Sequence, residues 1–305
     1  MYSQLESQTK TKAETNPLVG EVPAEFASLD GGDEDAESLP TLADVGCVLP
    51  IGYIDPSGTV HREFDLVDWS WEIEEELGEL AEKDRDMPMG VYVSELVGRG
   101  LRSLGTLDCT KLKRSQRRLI LSRMFFSDVL YLYIWLRIKA LGHELRLLDV
   151  RCTDSKCKKA IKEFTGDLRT LEVRSFGEVP KKVLTLETGV VYANERRKKV
   201  TVGPVSWALM ETCDASTLTN PAKFKLATLQ HGIRAIEGAP AGPVHLTRDH
   251  LRTMAPSEVN QLVAEIDRCN GGAVMQIGGL CPACKREFRQ DIDWSHGAFF
   301  APSSR

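Results

Sequence analysis

The sequence predicts an α+β fold, in which helical segments accompany a zinc-ribbon-like β module whose two cysteine knuckles are far apart in the chain. Three observations carry this expectation. Two close cysteine pairs, Cys152/Cys157 and Cys281/Cys284, each have the spacing of half a tetrahedral thiolate site, and they stand 124 residues apart (281 − 157). A strongly apolar helical stretch ends just before the first pair. Runs rich in β-branched residues lie between the pairs and beside them.

The chain opens on a polar, acidic stretch. Residues 1–40 hold nine acids (Glu6, Glu14, Glu21, Glu25, Asp30, Asp33, Glu34, Asp35 and Glu37) against Lys10 and Lys12, a net −7. Such composition cannot bury enough apolar area to offset its ordering entropy, so a disordered leader is expected over 1–40. The remaining 35 acids and 37 bases leave the body at +2. A nearly neutral body with an acidic head argues against nucleic acid as the main partner. No apolar secretory segment is visible, which predicts reduced thiols and a cytoplasmic protein.

Structure is expected to begin near Cys47, with residues 41–110 forming a hairpin plus helices. Val48–Ile54 and Thr59–Phe64 read as strands around the turn Asp55-Pro-Ser-Gly58. Asp68 or Ser70 precedes an acidic run, a helix start with carboxylates near the positive end of the macrodipole. Pro88 breaks that pattern, and a second helix is predicted through about Leu104. Residues 111–305 are expected to hold the core helix and the split zinc-ribbon domain. The core helix is predicted over Gln116–Leu141. Its uncharged run, Val129–Leu136, is too short for a membrane span, so it is read as a buried helix.

Leu145–Val150 reads as a strand leading into Cys152. A β insert is expected at about 167–205, with Gly189 and the run Asn194–Lys199 as turn punctuation and a return strand from Lys199. Helices are predicted over Ala222–Glu237, Arg248–Met254 and Glu258–Cys269, the last two capped by Thr247 and Ser257. Asn270-Gly-Gly272 ends that run. Ala273–Ile277 leads into the second pair, and Glu287–Trp294 leads away.

Cys152, Cys157, Cys281 and Cys284 together offer four thiolates, the closed set a structural zinc prefers, with disulfides or idle thiols as the alternatives. Cys281-Pro-Ala-Cys284 has the form of a zinc knuckle. Cys152 and Cys157 are separated by four residues, the wide end of the usual range. The isolated Cys47, Cys109, Cys213 and Cys269 are read as small apolar residues. His61, His143, His231, His245, His250 and His296 are scattered, and His296 is the one that lies near a knuckle. No phosphate-binding glycine loop, nucleophile elbow or H-E-x-x-H is present. Four cysteines would fill the metal shell and leave no position for catalytic water, so no enzyme and no catalytic residue is expected.

Four passages, in their order, resemble a T-even-type baseplate and tail-assembly family of contractile phages and phage-derived contractile injection systems. They are Leu49-Pro-Ile-Gly-Tyr-Ile-Asp-Pro-Ser-Gly-Thr-Val-His-Arg-Glu-Phe64, the helix end Leu136-Arg-Ile-Lys-Ala-Leu-Gly-His-Glu144, the first cysteine pair, and Cys281-Pro-Ala-Cys284 with the aromatic close Phe299-Phe300. The likeness covers residues 47–305, and the Asn194–Lys199 run has no place in it. It implies a structural or assembly component of a tail baseplate whose partners are other tail or baseplate proteins. A zinc-ribbon nucleic-acid-binding regulator is the alternative, motivated by Lys158, Lys159, Lys285, Arg286 and Arg289 beside the knuckles.

Overall fold

The computed structural model describes residues 38–83, 87–239, 244–294 and 299. The expected leader lies outside them except for residues 38–40, where the Pro40 carbonyl already accepts from the Val173 amide at 2.8 Å. Residues 38–305 group as one compact unit, mixing helices and sheets as the sequence predicts.

A single-turn helix, α1 (Leu42–Val45), leads into the antiparallel strands β1 (Val48–Ile54) and β2 (Val60–Leu66). Their turn is built as expected. Asp55 accepts from the Ser57 and Thr59 amides, and Gly58 takes the positive φ of 86° that closes it. The Ser57 hydroxyl, and then His61, hold the Asp55 carboxyl well below the usual carboxylate range. The helices α2 (Trp71–Lys83) and α3 (Met89–Gly100) follow, and then β3 (Leu101–Leu104) and β4 (Leu107–Asp108), which complete a sheet of order β1-β2-β3-β4. The second helix thus stops at Gly100. Leu101–Leu104 pairs with β2 because that edge offers backbone partners the helix could not supply.

The predicted core helix is two helices, α4 (Arg114–Arg123) and α5 (Phe126–Leu141). Met124 and Phe125 are extended because a neighbouring segment claims their backbone: Trp207 N–H donates to the Met124 carbonyl, and Phe126 N–H donates to Val205. α5 is buried all round through its centre, as its composition predicts. Asp128, in its first turn, is fully buried and accepts from the Ile51 and Gly52 amides at 2.9 and 2.8 Å. Those two residues lie where the β1–β2 register shifts, so their N–H groups point at the carboxylate instead of at β2.

The antiparallel strands β5 (Glu144–Arg151) and β6 (Ala160–Asp167) flank the first cysteine pair. A 3₁₀ turn then leads to the short strand β7 (Val173–Arg174). Next comes a unit with its own hydrophobic core, running from Leu184 to Cys269. It holds β8 (Lys182–Tyr192), β9 (Glu195–Val202), α6 (Ala208–Thr212), α7 (Ala215–Leu218), α8 (Pro221–Gly232), β10 (Ile233–Ile236), α9 (Arg248–Arg252) and α10 (Pro256–Asn270), with sheet order β10-β9-β8. This unit returns through β11 (Gly272–Ala273), which pairs with β7 and so brings its entry and exit side by side. The chain then forms the hairpin β12 (Gln276–Leu280) and β13 (Glu287–Asp291) around the second pair.

Three local expectations are corrected here. Gly189 is a bulge within one continuous strand, since a Cβ there would stand 2.4 Å from the Arg197 carbonyl oxygen. The turn is Ala193-Asn194, both at positive φ, so Arg196–Lys199 lies in β9. The helix expected over Ala222–Glu237 ends at Gly232, and Ile233–Ile236 pairs with β9. Among the isolated cysteines, Cys109, Cys213 and Cys269 are buried but Cys47 is exposed. No helix of the described residues is long and apolar enough to cross a membrane.

Burial pushes the Asp128 carboxyl up to about 7, against the two amides and Arg62, which favour the anion. An unfolded chain would lose that proton near pH ~4. Between those values the native state holds the extra proton, so this group's stabilising contribution is full below about pH 4 and is lost as pH rises through about 7. Urea midpoints measured across this range should therefore decline less steeply for Asp128→Asn than for the parent. Parallel profiles would show that Asp128 titrates alike in both states.

Candidate metal centre

Each cysteine pair sits where a two-stranded hairpin turns. In the second, Cys281 N–H donates to the Arg286 carbonyl and Lys285 N–H to the Cys281 carbonyl, both at 2.9 Å. Lys285 takes a left-handed φ of 61°, which folds the chain back toward β13. The first knuckle repeats the plan with two more residues. Cys152 N–H donates to the Lys159 carbonyl at 3.0 Å, and Lys158 takes φ 44°. Asp154 absorbs the extra length, its Oδ1 accepting from the Lys156 and Cys157 amides at 3.0 Å each. The spacing that looks wide in sequence is thus closed by an aspartate-centred turn. Across the two knuckles, the Asp154 carboxylate pairs with the Arg286 guanidinium.

Behind the sulfurs the hairpins pack face to face. Phe164 and Phe288 meet edge-on, with ring centroids 5.0 Å apart. A Cβ at Gly166 would stand 2.1 Å from the Ile277 side chain, and one at Gly279 would stand 2.4 Å from the Phe164 ring. Glycine at these points lets the sheets approach closely enough for the knuckles to face each other.

All four sulfurs, of Cys152, Cys157, Cys281 and Cys284, lie within 4.8 Å of one another. Cys152 to Cys284 and Cys157 to Cys281 are both 3.8 Å. A disulfide would need ~2.05 Å, so these are separate thiols. A metal–sulfur bond of ~2.3 Å in a regular tetrahedron gives an edge of ~3.8 Å, the separation found across the knuckles. The four predicted ligands are therefore one tetrahedral-like cluster, able to hold a metal ion.

The thiols have unequal acidities. The backbone N–H of Cys284, and then that of Ala283, hold Cys281 down to about 6. Although the Asp154 backbone favours the Cys152 thiolate, burial and the contacts with the other three sulfurs carry Cys152 up to about 12. The Cys157 thiol also moves upward. One thiolate sits in this cluster unaided, whereas four need a cation among them. Cys281 and Cys152 are buried, and Cys157 and Cys284 are half-buried. An ion held among them would have little access to water.

The other residues singled out in sequence stand elsewhere. His61 is buried against Asp55 at 3.1 Å, and the His250 Nδ1 accepts from the Thr247 amide at 2.9 Å as part of a helix cap. His296 and Phe300 lie outside the described residues. Sequence reasoning missed Asp154 as the organiser of the first knuckle, although an aspartate two residues after a ligand cysteine, ahead of Ser-Lys, is the pattern of a side chain that caps its own turn. Comparison of the chain with protein-family models, curated proteins and solved structures finds no match.

Cys281→Ser and Cys284→Ser should each abolish stoichiometric metal in the purified chain, measured by elemental analysis, and should lower thermal stability because metal binding and folding are coupled. Unchanged metal content and stability in both variants would exclude the cluster as a metal site. Asp154→Ala removes the turn acceptor and the Arg286 pair but no ligand. It should retain the metal yet weaken its affinity by roughly 10–100-fold in a chelator competition.

Proposed function

We propose that this chain is a non-enzymatic structural or assembly component of a contractile-tail baseplate or injection system, held in shape by one structural zinc. The observation that carries the reading is the convergence of the four resembling passages, spread from Leu49 to Phe299, onto one another. The β1–β2 hairpin packs on α5, with Phe64 edge-on to Tyr131 and Lys139 donating to the Leu66 carbonyl at 2.6 Å. Arg137, near the start of the second passage, donates to the Gly142, Glu144 and Phe299 carbonyls. Tyr133 stacks on Phe299 at 5.2 Å. β5 runs directly from this helix to the first knuckle. The resembling passages thus meet in one part of the molecule instead of lying scattered over it.

Zinc suits the cluster because four cysteines, all within 4.8 Å of one another and 3.8 Å apart in two cross-knuckle pairs, would enclose one tetrahedral ion and complete its shell. A closed set of this kind supports a fold-holding role over catalysis. The nucleic-acid alternative draws on five basic residues, of which Arg286 is committed to Asp154 and Arg289 pairs with Glu172 at 3.2 Å. That leaves Lys158, Lys159 and Lys285 for phosphate, a poor basis for tight, salt-sensitive binding.

Tagged purification from the native source, with sedimentation and mass spectrometry, tests the reading. Co-migration with sheath, tube or baseplate proteins is the expected outcome. Absence from purified tails and from their assembly intermediates would overturn it.

A further inference from the structure

Helices α2 and α4 both pack on α3 and rise as two ridges beside a narrow cleft over it. The cleft holds about 60 Å³ and is bounded by Glu76 of α2, by Ser94, Glu95 and Arg99 of α3, and by Arg114 and Arg118 of α4. Its inner charges are spent on one another. Arg99 donates to Glu76 at 2.9 Å and to the buried Glu95 at 2.7 Å, and Arg114 reaches the same Glu95 at 2.8 Å. These bonds fix the spacing of the ridges and leave their outer faces unsatisfied.

The two outer faces have opposite charge. α2 carries six glutamates. By the helical period Trp71, Glu75 and Glu82 share its outermost stripe, and Glu72 stands one turn before Glu76 on the flank toward the cleft. Glu72, Glu75 and Glu82 are exposed and make no hydrogen bond or ion pair among the described residues. Trp71 is 76% exposed. α4 has four arginines and no acid. Its outer face presents Leu119, 52% exposed, between Arg118 and Arg123. Arg123 has no ion pair among the described residues. Arg118 stands 3.5 Å from Glu211, whose carboxylate already accepts from the Ser94 hydroxyl at 2.6 Å. Each ridge therefore exposes one large apolar side chain beside charge that the chain itself does not cancel.

We infer that this face joins two copies of the chain about a two-fold axis lying along the cleft, with α2 of each copy against α4 of the other. Charge complementarity selects a second copy as the occupant. A partner that satisfies both ridges must carry an acidic ridge and a basic ridge side by side in the reverse order, and a two-fold rotation of this chain presents that order. It sets Glu72 and Glu75 of one copy against Arg118 and Arg123 of the other, and does so twice. Trp71 then covers Leu119 and lies within reach of the same arginines, whose guanidinium planes stack on aromatic faces. An axis set across the ridges would instead bring α2 onto α2 and α4 onto α4, opposing like charges. The inference is independent of the baseplate reading, which concerns other partners.

The test is sedimentation of the full chain over a range of concentrations, at low and at high salt. A monomer–dimer equilibrium is expected, weakened by about tenfold or more in high salt because the pairs lie near a solvated surface. Glu72→Lys with Glu75→Lys, and separately Arg118→Glu with Arg123→Glu, should each weaken the dimer by about tenfold or more. Mixed in equal amounts, the two double variants should pair again, because every reversed residue then faces a reversed partner and every native residue a native one. Arg123→Glu alone breaks no ion pair within the chain and should weaken the dimer severalfold, which tests the basic ridge without disturbing Glu211. A chain that stays monomeric, a dimer indifferent to salt or to the reversals, or folded variants that fail to recombine would each overturn the proposal. So would growth past the dimer, because the ridges would then be joined head to tail.

Discussion

The knuckle ends of two hairpins meet at four sulfur atoms, and what those sulfurs bind decides how firmly the ends are joined. β5–β6 and β12–β13 are each only two-stranded, and such hairpins are marginal in water by themselves. The small core between them consists of Val150, Cys152, Ile161, Cys281 and Phe288 as its buried members, so two of five are ligands. Leu145 and Ile277 tie the far ends of these hairpins to the main core, so it is the knuckle ends that have little burial of their own. A shared ion would join those ends, because its coordination energy would be available only with both knuckles formed. Neither knuckle has a complete donor set, so a metal bound here would require the face-to-face packing that Phe164, Phe288 and Ile277 already make.

The same constraint explains why the halves tolerate their separation. Loop-closure entropy grows only with the logarithm of loop length, so placing a whole unit between the knuckles adds little to the cost of bringing them together. Structure reduces it further. β7 and β11 pair where the inserted unit leaves and rejoins, and the effective loop between the knuckles is much shorter than 124 residues (281 − 157). The inserted unit carries its own core and is packed without the cysteine cluster.

Elsewhere the fold uses one device twice. Asp128 in the first turn of α5 takes the amides of a bulge in β1, and Glu258 in the first turn of α10 takes the amides of Thr188 and Gly189 in β8. Each acid serves a helix N-terminus and a strand irregularity together. Their protonation differs for a physical reason. Burial outweighs two amides at Asp128, whereas at Glu258 four backbone N–H groups overcome burial and hold the carboxyl below its ordinary range. The sequence shows an acid near each helix start, but the bulge it serves is some 70 residues distant and leaves no local trace.

That distinction describes what was legible in general. The Asp55–Gly58 turn, the buried helix and the four cysteines declare themselves because their chemistry is local or strongly constrained in type. Leu101-Arg-Ser-Leu104 and Ile233-Arg-Ala-Ile236 do not. A tetrad with large apolar residues only at its two ends fits a helix at i, i+3 as well as a short edge strand, and only β2 and β9 decide between them. The break at Met124-Phe125 is likewise set by Val205 and Trp207, far along the chain. α5 is where these non-local demands meet. Its start holds the β1 bulge through Asp128, its middle donates to the Gly46 carbonyl through Tyr131, and its end gathers three carbonyls on Arg137. Phe126 stacks on Trp207 toward the inserted unit. A helix with contacts on every side must be apolar on every side. The loss of amphipathic period that makes it resemble a truncated membrane span is the sequence record of its position at the centre.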